Sequence, residues 1–316
     1  MEYEKNNFAS RRSNVMGFKG MVATGQPLAA QAGLDILKAG GNAIDAAIAT
    51  AATLCVVEPC STGIGGDAFA LIWSAKEQKL YGLNASGPAP ERLTAVLLRE
   101  KGHQTMPTLG ALAVTVPGSL RGWEAALTRF GTMGLDSLLA QAIAYAQHGF
   151  PVSQRIAHAW QNSTEKMAAH EDSRRVWLPN GRAPNPGERF RNLEFAATLK
   201  TIAAEGIEPF YQGALGQQIV ACVQAAGGVL SMNDLAGYEA EWVAPLKLDY
   251  KNGYSFYEIP PNGQGLTALI ALNMAQQLDM ASLAYGSDDY YHNLMALTKL
   301  AFAGAHAFIC SPAQSN

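Results

Sequence analysis

Charge is thin in this sequence, cysteine is thinner, and no stretch stays apolar long enough to cross a bilayer. Charged residues make up 16% of the 316, and 23 Lys and Arg nearly cancel 26 Asp and Glu, leaving a formal charge of −3. With no basic stripe, nothing in that balance draws the chain to nucleic acid or to an anionic membrane. The four cysteines, Cys55, Cys60, Cys222 and Cys310, are too few for a disulfide framework in a chain of this size and lack the paired spacing of a zinc site. The segment Ala43 to Val57 is mostly apolar but falls short of the ~20 residues a membrane helix needs, and it stops at Glu58-Pro59. The N-terminal stretch, Met1 to Gly20, is polar and mixed in charge, without the apolar core of a secretory signal. These absences predict a cytoplasmic globular protein acting on a small molecule, with no nucleic acid and no membrane as partner.

Recognisable catalytic chemistry is missing as well. Gly63-Ile64-Gly65-Gly66 precedes a predicted strand instead of leading from one into a helix, so it is no dinucleotide loop. In Gly118-Ser119-Leu120-Arg121-Gly122 the serine stands one place too early for a nucleophile elbow. There is no His-Glu-x-x-His, and the six histidines are isolated from Asp, Glu and Cys at ligand spacing. No metal, no organic cofactor and no catalytic residue is therefore expected in this chain.

What is present is a well-punctuated mixture of helices and strands. Pro27 sits where a helix would start, Ala30, Leu34 and Leu37 recur at helical spacing, and Gly40-Gly41 supplies the stop. Asn42 can cap a second helix, Ala43 to Cys55, whose small residues predict deep burial. Phe69 to Trp73 and Lys79 to Leu83 read as strands, with a charged turn between them and the loop Asn84 to Pro90 behind the second. A further short strand is predicted at Ala113 to Val116, then a helix through Trp123. Asp136 is read as the cap of Leu138 to Gln147, with Gly149 as the stop. Asn192 is read as another cap, Val176 to Phe190 as a long surface loop, residues 244–259 as extended, and Gln264 to Leu278 as helix.

Eight blocks, in order and over nearly the whole chain, resemble the γ-glutamyltransferase family. They begin with Met21-Val-Ala-Thr-Gly-Gln-Pro27, Gly40-Gly-Asn-Ala-Ile-Asp45 and Val56-Val-Glu-Pro-Cys-Ser-Thr-Gly-Ile-Gly-Gly-Asp67. Val116-Pro-Gly-Ser119 with Gly122-Trp123, Gly149-Phe-Pro-Val152, Gly227-Gly-Val-Leu230, Pro260-Pro261 and Lys299-Leu-Ala-Phe302 continue the series. The resemblance implies an α/β, four-layer αββα N-terminal-nucleophile hydrolase sandwich completed by a second chain. Residues 1–316 would be the large subunit of a self-cleaved precursor, a single domain with many helices. The nucleophile would be the N-terminal Thr of the small subunit, using its own α-amine as base. Expected partners are that small subunit and a small amide substrate, in a heterodimer that can pair into a dimer of heterodimers.

The sequence also departs from the family. Family members that act on γ-glutamyl groups grip the substrate carboxylate with an Arg in an Arg-Glu-x-Ala-Pro context; Ala89-Pro90 match that context, but Ser86 and Gly87 occupy the Arg and Glu positions. Cys60 stands at the family's His, and Asp67 interrupts its run of glycines. The candidate substrate-binding residues are Asn84 and Ser86, with Asn262 and Gln264 of the Pro-Pro-Asn-Gly-Gln loop beside them. Lacking a guanidinium clamp, the chain most resembles members that hydrolyse a very small amide, oxamate, in purine catabolism. Cephalosporin-acylase-like amidohydrolases, γ-glutamyltransferase and glutathione hydrolase activity, and a non-catalytic binding or structural relative remain the alternatives.

Overall fold

The computed structural model describes residues 13–310. The polar stretch before residue 13 and the tail from 311 to 316 lie outside the described residues. The chain divides into two compact units, one built from residues up to Thr62 together with Phe130–Ala204, the other from Gly63–Arg129 together with Glu205 onward.

The first unit is helical. Helix α1 (Pro27–Lys38) starts where the Gln26 side chain accepts hydrogen bonds from the amides of Leu28 and Ala29. It stops at Gly40, whose φ of 96° only glycine adopts without strain. Helix α2 (Ala43–Val57) has the small-residue surface the sequence predicts, and it packs between α1 and the helix Leu135–His148. The approach to α1 is close. A Cβ on Gly33 would lie 2.2 Å from Thr50 Oγ1.

A carboxylate that periodicity does not reveal holds this unit together. Asn42 and Asp45 form a capping box at the start of α2. Asp45 is fully buried and also accepts from Thr132 N at 2.9 Å, Thr132 Oγ1 at 2.5 Å and Met133 N at 3.2 Å. The loop before Leu135–His148 is thereby tied to the head of α2. Burial pushes the Asp45 carboxyl up, but the donors of Thr132, Asn42 and Met133 outweigh it and hold the group below its ordinary value.

Other expectations need adjustment. Asp136 lies in the first turn of Leu135–His148, and the cap position belongs to Gly134, because Asp45 fixes the backbone just ahead of it. Gly149 ends that helix as read, with φ 86°. Asn192 does cap the following helix, accepting from Phe195 N at 2.9 Å. The stretch 176–190 is less superficial than its Pro, Gly and Arg content suggests. Leu178, Ala183 and Phe190 are buried, and Trp160, Trp177 and Phe190 form one aromatic cluster in which Trp160 Nε1 donates to Trp177 O at 2.9 Å.

In the second unit, β1 (Ala68–Ser74) and β2 (Lys79–Ala85) form the predicted hairpin, and β3 (Glu241–Val243) adds to β2, all antiparallel. The extended region 244–259 is a second hairpin, Leu246–Asp249 with Ser255–Glu258. Helix α3 (Ser119–Phe130) follows the β2 loop, and helices α4 (Gly265–Ala275) and α5 (Asp288–Phe308) pack on each other. No strand forms at Ala113 to Val116: residues 111–113 make one 3-10 turn, and Val116 N bonds only to the carbonyl of Pro88, at 3.0 Å. Among the described residues no helix is long and apolar enough to cross a membrane.

Replacing Asp45 by Ala should cost about 2–3 kcal/mol of stability, since it strands buried donors. Because the folded carboxyl titrates below its ordinary 3.8, this contribution is complete above that value and is lost as pH falls through the folded pKa. Denaturant unfolding of wild type and variant at neutral pH and near pH 3 should show the gap narrowing in acid.

Candidate active-site loop

The register of the β1–β2 hairpin sets Ala68 opposite Ala85, so the residues just before β1 and just after β2 meet at one end of the sheet. There the Asp67 carboxylate accepts from Gly87 N at 3.3 Å. On the other side of the Asn84 to Pro90 loop, Ser86 N donates to Asn84 Oδ1 at 3.1 Å, an Asx-type turn. Asn262 closes the cluster: Asn84 Nδ2 donates to its Oδ1 at 3.1 Å, and its Nδ2 donates to Ser86 Oγ at 2.5 Å. Asn84, Ser86 and Asn262, far apart in sequence, are thus one hydrogen-bonded group. Gln264 does not join it. Its backbone occupies the cap position of α4, its side chain makes no capping bond, and the residue is exposed.

Beneath the loop, two backbones run against each other. A Cβ on Gly87 would lie 1.7 Å from Val116 O, and one on Gly118 would lie 2.1 Å from Ala85 O. One turn into α3, Gly122 leaves room for the Ala85 methyl, which a Cβ there would approach to 2.6 Å. The amides of Gly118 and Ser119, which open α3, both donate to Gly66 O at 2.9 Å. Tyr211, fully buried, ties the same corner: its hydroxyl donates to Pro117 O at 2.8 Å and accepts from Arg121 N at 3.2 Å. The buried Arg121 guanidinium lies over the Tyr211 ring and bonds to Glu208 at 3.0 Å and Glu124 at 3.1 Å.

The loop therefore carries amide and hydroxyl groups, with one carboxylate at its edge. Asp67 is exposed as a residue, yet partial desolvation of its carboxyl raises the pKa, and the single Gly87 amide offsets this only in part. In the first unit the Cys60 thiol is half-buried and raised by desolvation, the state of a packing residue rather than an activated nucleophile. Sequence reading missed Asp67, Gly87, Gly118 and Tyr211 as determinants of this corner. The visible signals were Asp67, an acid placed in a glycine turn immediately before a strand, and Gly118 within the Val116-Pro-Gly-Ser119 block.

Gly118→Ala should destabilise the protein by about 3 kcal/mol or more, or prevent folding, because the obstructing atom is a carbonyl of a paired strand. Gly65→Ala, where nothing lies within 4 Å, should change thermal stability little. A tolerated Gly118→Ala would show that the two segments do not need this approach.

The gamma-glutamyltranspeptidase family profile matches residues 29–316. The glutathione hydrolase-like YwrD proenzyme of Bacillus subtilis is 39% identical over 301 residues, covering 95% of this chain and 57% of that protein. The oxamate amidohydrolase proenzyme of Klebsiella pneumoniae is 36% identical over 301 residues, covering 93% and 56%. The crystal structure of a cephalosporin acylase from Bacillus halodurans superposes with a TM-score of 0.90 at 44% identity, covering 99% of this chain and 59% of that one. The chain thus spans little more than half the length of these three relatives.

Proposed function

The chain belongs to the gamma-glutamyltranspeptidase family, and from that premise we propose that it is the large-subunit part of a threonine-nucleophile amidohydrolase for a small acyl amide, with oxamate the first substrate to try. Its fold is that of the N-terminal-nucleophile hydrolases. The relatives are named as proenzymes, and the part of their length outside this match is where the nucleophilic threonine would reside.

Two surfaces support a second polypeptide packed on this one. Strand β1 is an edge strand, and its side chains Phe69, Leu71 and Trp73, all on one face, are 49%, 42% and 57% exposed. Helix α4 is apolar around its whole circumference, but only Thr267 and Leu269 are buried. Helices of that composition are normally covered on all sides.

In the proposed reaction the threonine hydroxyl adds to the amide carbonyl while its proton passes to the α-amine. The C–N bond then breaks, and the proton leaves with the departing amine or ammonia. Water next cleaves the acyl ester, releasing the acid and restoring the hydroxyl. Neither metal nor organic cofactor enters. This chain would hold the acyl group.

The observation that carries the substrate reading is Ser86 in place of a guanidinium. Its hydroxyl is bonded to Asn262, and a buried α-carboxylate placed there would meet neutral groups and Asp67 instead of a bidentate cation. The 44% identity to a cephalosporin acylase favours a second reading, an acylase for a larger side-chain amide.

Intact-mass measurement of the purified protein should find a second polypeptide that begins with Thr. Turnover of oxamate, a cephalosporin side-chain amide and γ-glutamyl-p-nitroanilide should then rank the γ-glutamyl compound last. Efficient cleavage of that compound with none of oxamate would remove the small-amide reading and leave the family untouched.

A further inference from the structure

The Asn84–Asn262–Ser86 group has a polarity that can be read from a single backbone amide. The Ser86 N–H can only donate, so the Asn84 atom 3.1 Å from it is the carbonyl oxygen. That turns Asn84 Nδ2 toward Asn262, and the facing Asn262 atom, at 3.1 Å, must be its oxygen. Asn262 Nδ2 then faces Ser86 Oγ at 2.5 Å, so the serine hydroxyl accepts there and keeps its own hydrogen. Both amide oxygens and the hydroxyl oxygen are engaged within the group, each through one of its two lone pairs. Three hydrogens are not: one on Asn84 Nδ2, one on Asn262 Nδ2 and the hydroxyl hydrogen of Ser86.

We propose that this group is an uncharged, donor-presenting recognition site for an acceptor oxygen on the far end of the acyl chain, a carbonyl or a carboxylate, and that Asn84 and Asn262 determine its specificity by fixing that polarity. The proposal rests on the reading that the loop faces the substrate. A substrate bearing an ammonium or another donor at the same place would meet these three hydrogens, and for acceptors only the second lone pairs of oxygens already engaged. Asp67, across the turn through Gly87, adds a negative charge that opposes a carboxylate and attracts a cation. The two effects separate by mutation, because Asp67 belongs to no link of the relay.

Three two-carbon or three-carbon amides differ at this end: pyruvamide presents a neutral acceptor, oxamate an anionic acceptor and glycinamide a cationic donor. Each is measured on the two-chain protein as kcat/KM where it is cleaved, as an inhibition constant against a turned-over amide where it is not, and by calorimetric binding if nothing is cleaved. Wild type should prefer pyruvamide over glycinamide by about tenfold or more, in line with the cost of an unpaired polar contact.

Asn84→Asp changes one group and reverses the relay. Its second oxygen forces the Asn262 amide to turn over, and the Asn262 oxygen then takes the Ser86 hydrogen. Pyruvamide and oxamate should each weaken about tenfold, mainly through KM, while glycinamide gains. Should that variant fail to assemble, Ser86→Ala removes one donor without adding charge, and it should weaken both acceptors severalfold and leave glycinamide unchanged. Asp67→Asn should improve oxamate relative to pyruvamide and weaken glycinamide, so that the preference of pyruvamide over glycinamide widens. Equal affinity for pyruvamide and glycinamide in wild type, or an unchanged ratio in Asn84→Asp, overturns the proposal. A protein that cleaves only γ-glutamyl compounds overturns the small-amide reading instead, and the inhibition constants still report the polarity.

Discussion

The close passage of Val116-Pro117-Gly118 against residues 85–88 is the constraint on which the candidate site depends. Polypeptide backbones come this near outside a sheet ladder only where side chains are absent, and here glycines face the opposite segment from both sides. The contact fixes three things at once. It presses the end of β2 onto the start of α3, it leaves the amides of Gly118 and Ser119 free to hold Gly66, and it sets half-buried Asn84 and Ser86 in one hydrogen-bonded turn. Tyr211 and Arg121 secure the far side of the same corner, the phenol through Pro117 and the guanidinium through two carboxylates. For the proposed recognition role such backing matters, since a single weak contact tolerates little misplacement.

Two aspartates show how the same side chain is turned to different ends by the number of donors around it. Asp45 is fully buried, yet its carboxylate meets amides of Asn42, Thr132 and Met133 and the Thr132 hydroxyl, enough to reverse the desolvation cost and keep it charged. Asp67 is on the surface, yet meets a single amide, and desolvation prevails. The first is a structural anion satisfied on both oxygens. The second keeps acceptor capacity to spare beside a loop that presents donors, a combination suited to discriminating ligands by charge.

Much of this was legible from local pattern. Alternation and a charged turn located the β1–β2 hairpin, and Asn42 and the small residues after it located α2. The blocks read as a family resemblance around Val116–Ser119 and Gly122–Trp123 acquire a physical reason in the structure: they are where backbone meets backbone. The strand expected at Ala113 to Val116 failed because its apolar alternation serves a single segment laid across the loop, with its hydrogen bond to Pro88 and no ladder. Asp45 escaped notice because a helix of Ala, Ile and Thr gives no hint that its one acid points inward. Asn262 was picked from a Pro-Pro-Asn-Gly-Gln loop that also included Gln264, and only tertiary structure separates the residue that reaches Ser86 from the one that starts a helix.

The exchange of a guanidinium for a serine–asparagine group changes the energetics of recognition as well as its chemistry. A buried guanidinium–carboxylate pair yields strong binding only if the ligand's charge is fully met, and it penalises any ligand that leaves the cation alone by about 2–5 kcal/mol. Neutral donors contribute about 0.5–1.5 kcal/mol each and leave no stranded charge when the ligand is small. A ligand of only a few heavy atoms is limited to about 1.5 kcal/mol of binding per atom even in the best cases. It has too few atoms to repay the desolvation of a dedicated cation as well as its own. In the proposed site, three oriented hydrogens, held by a relay whose direction is set by one backbone amide and backed by a glycine-only contact, would form a recognition device on the scale of such a ligand.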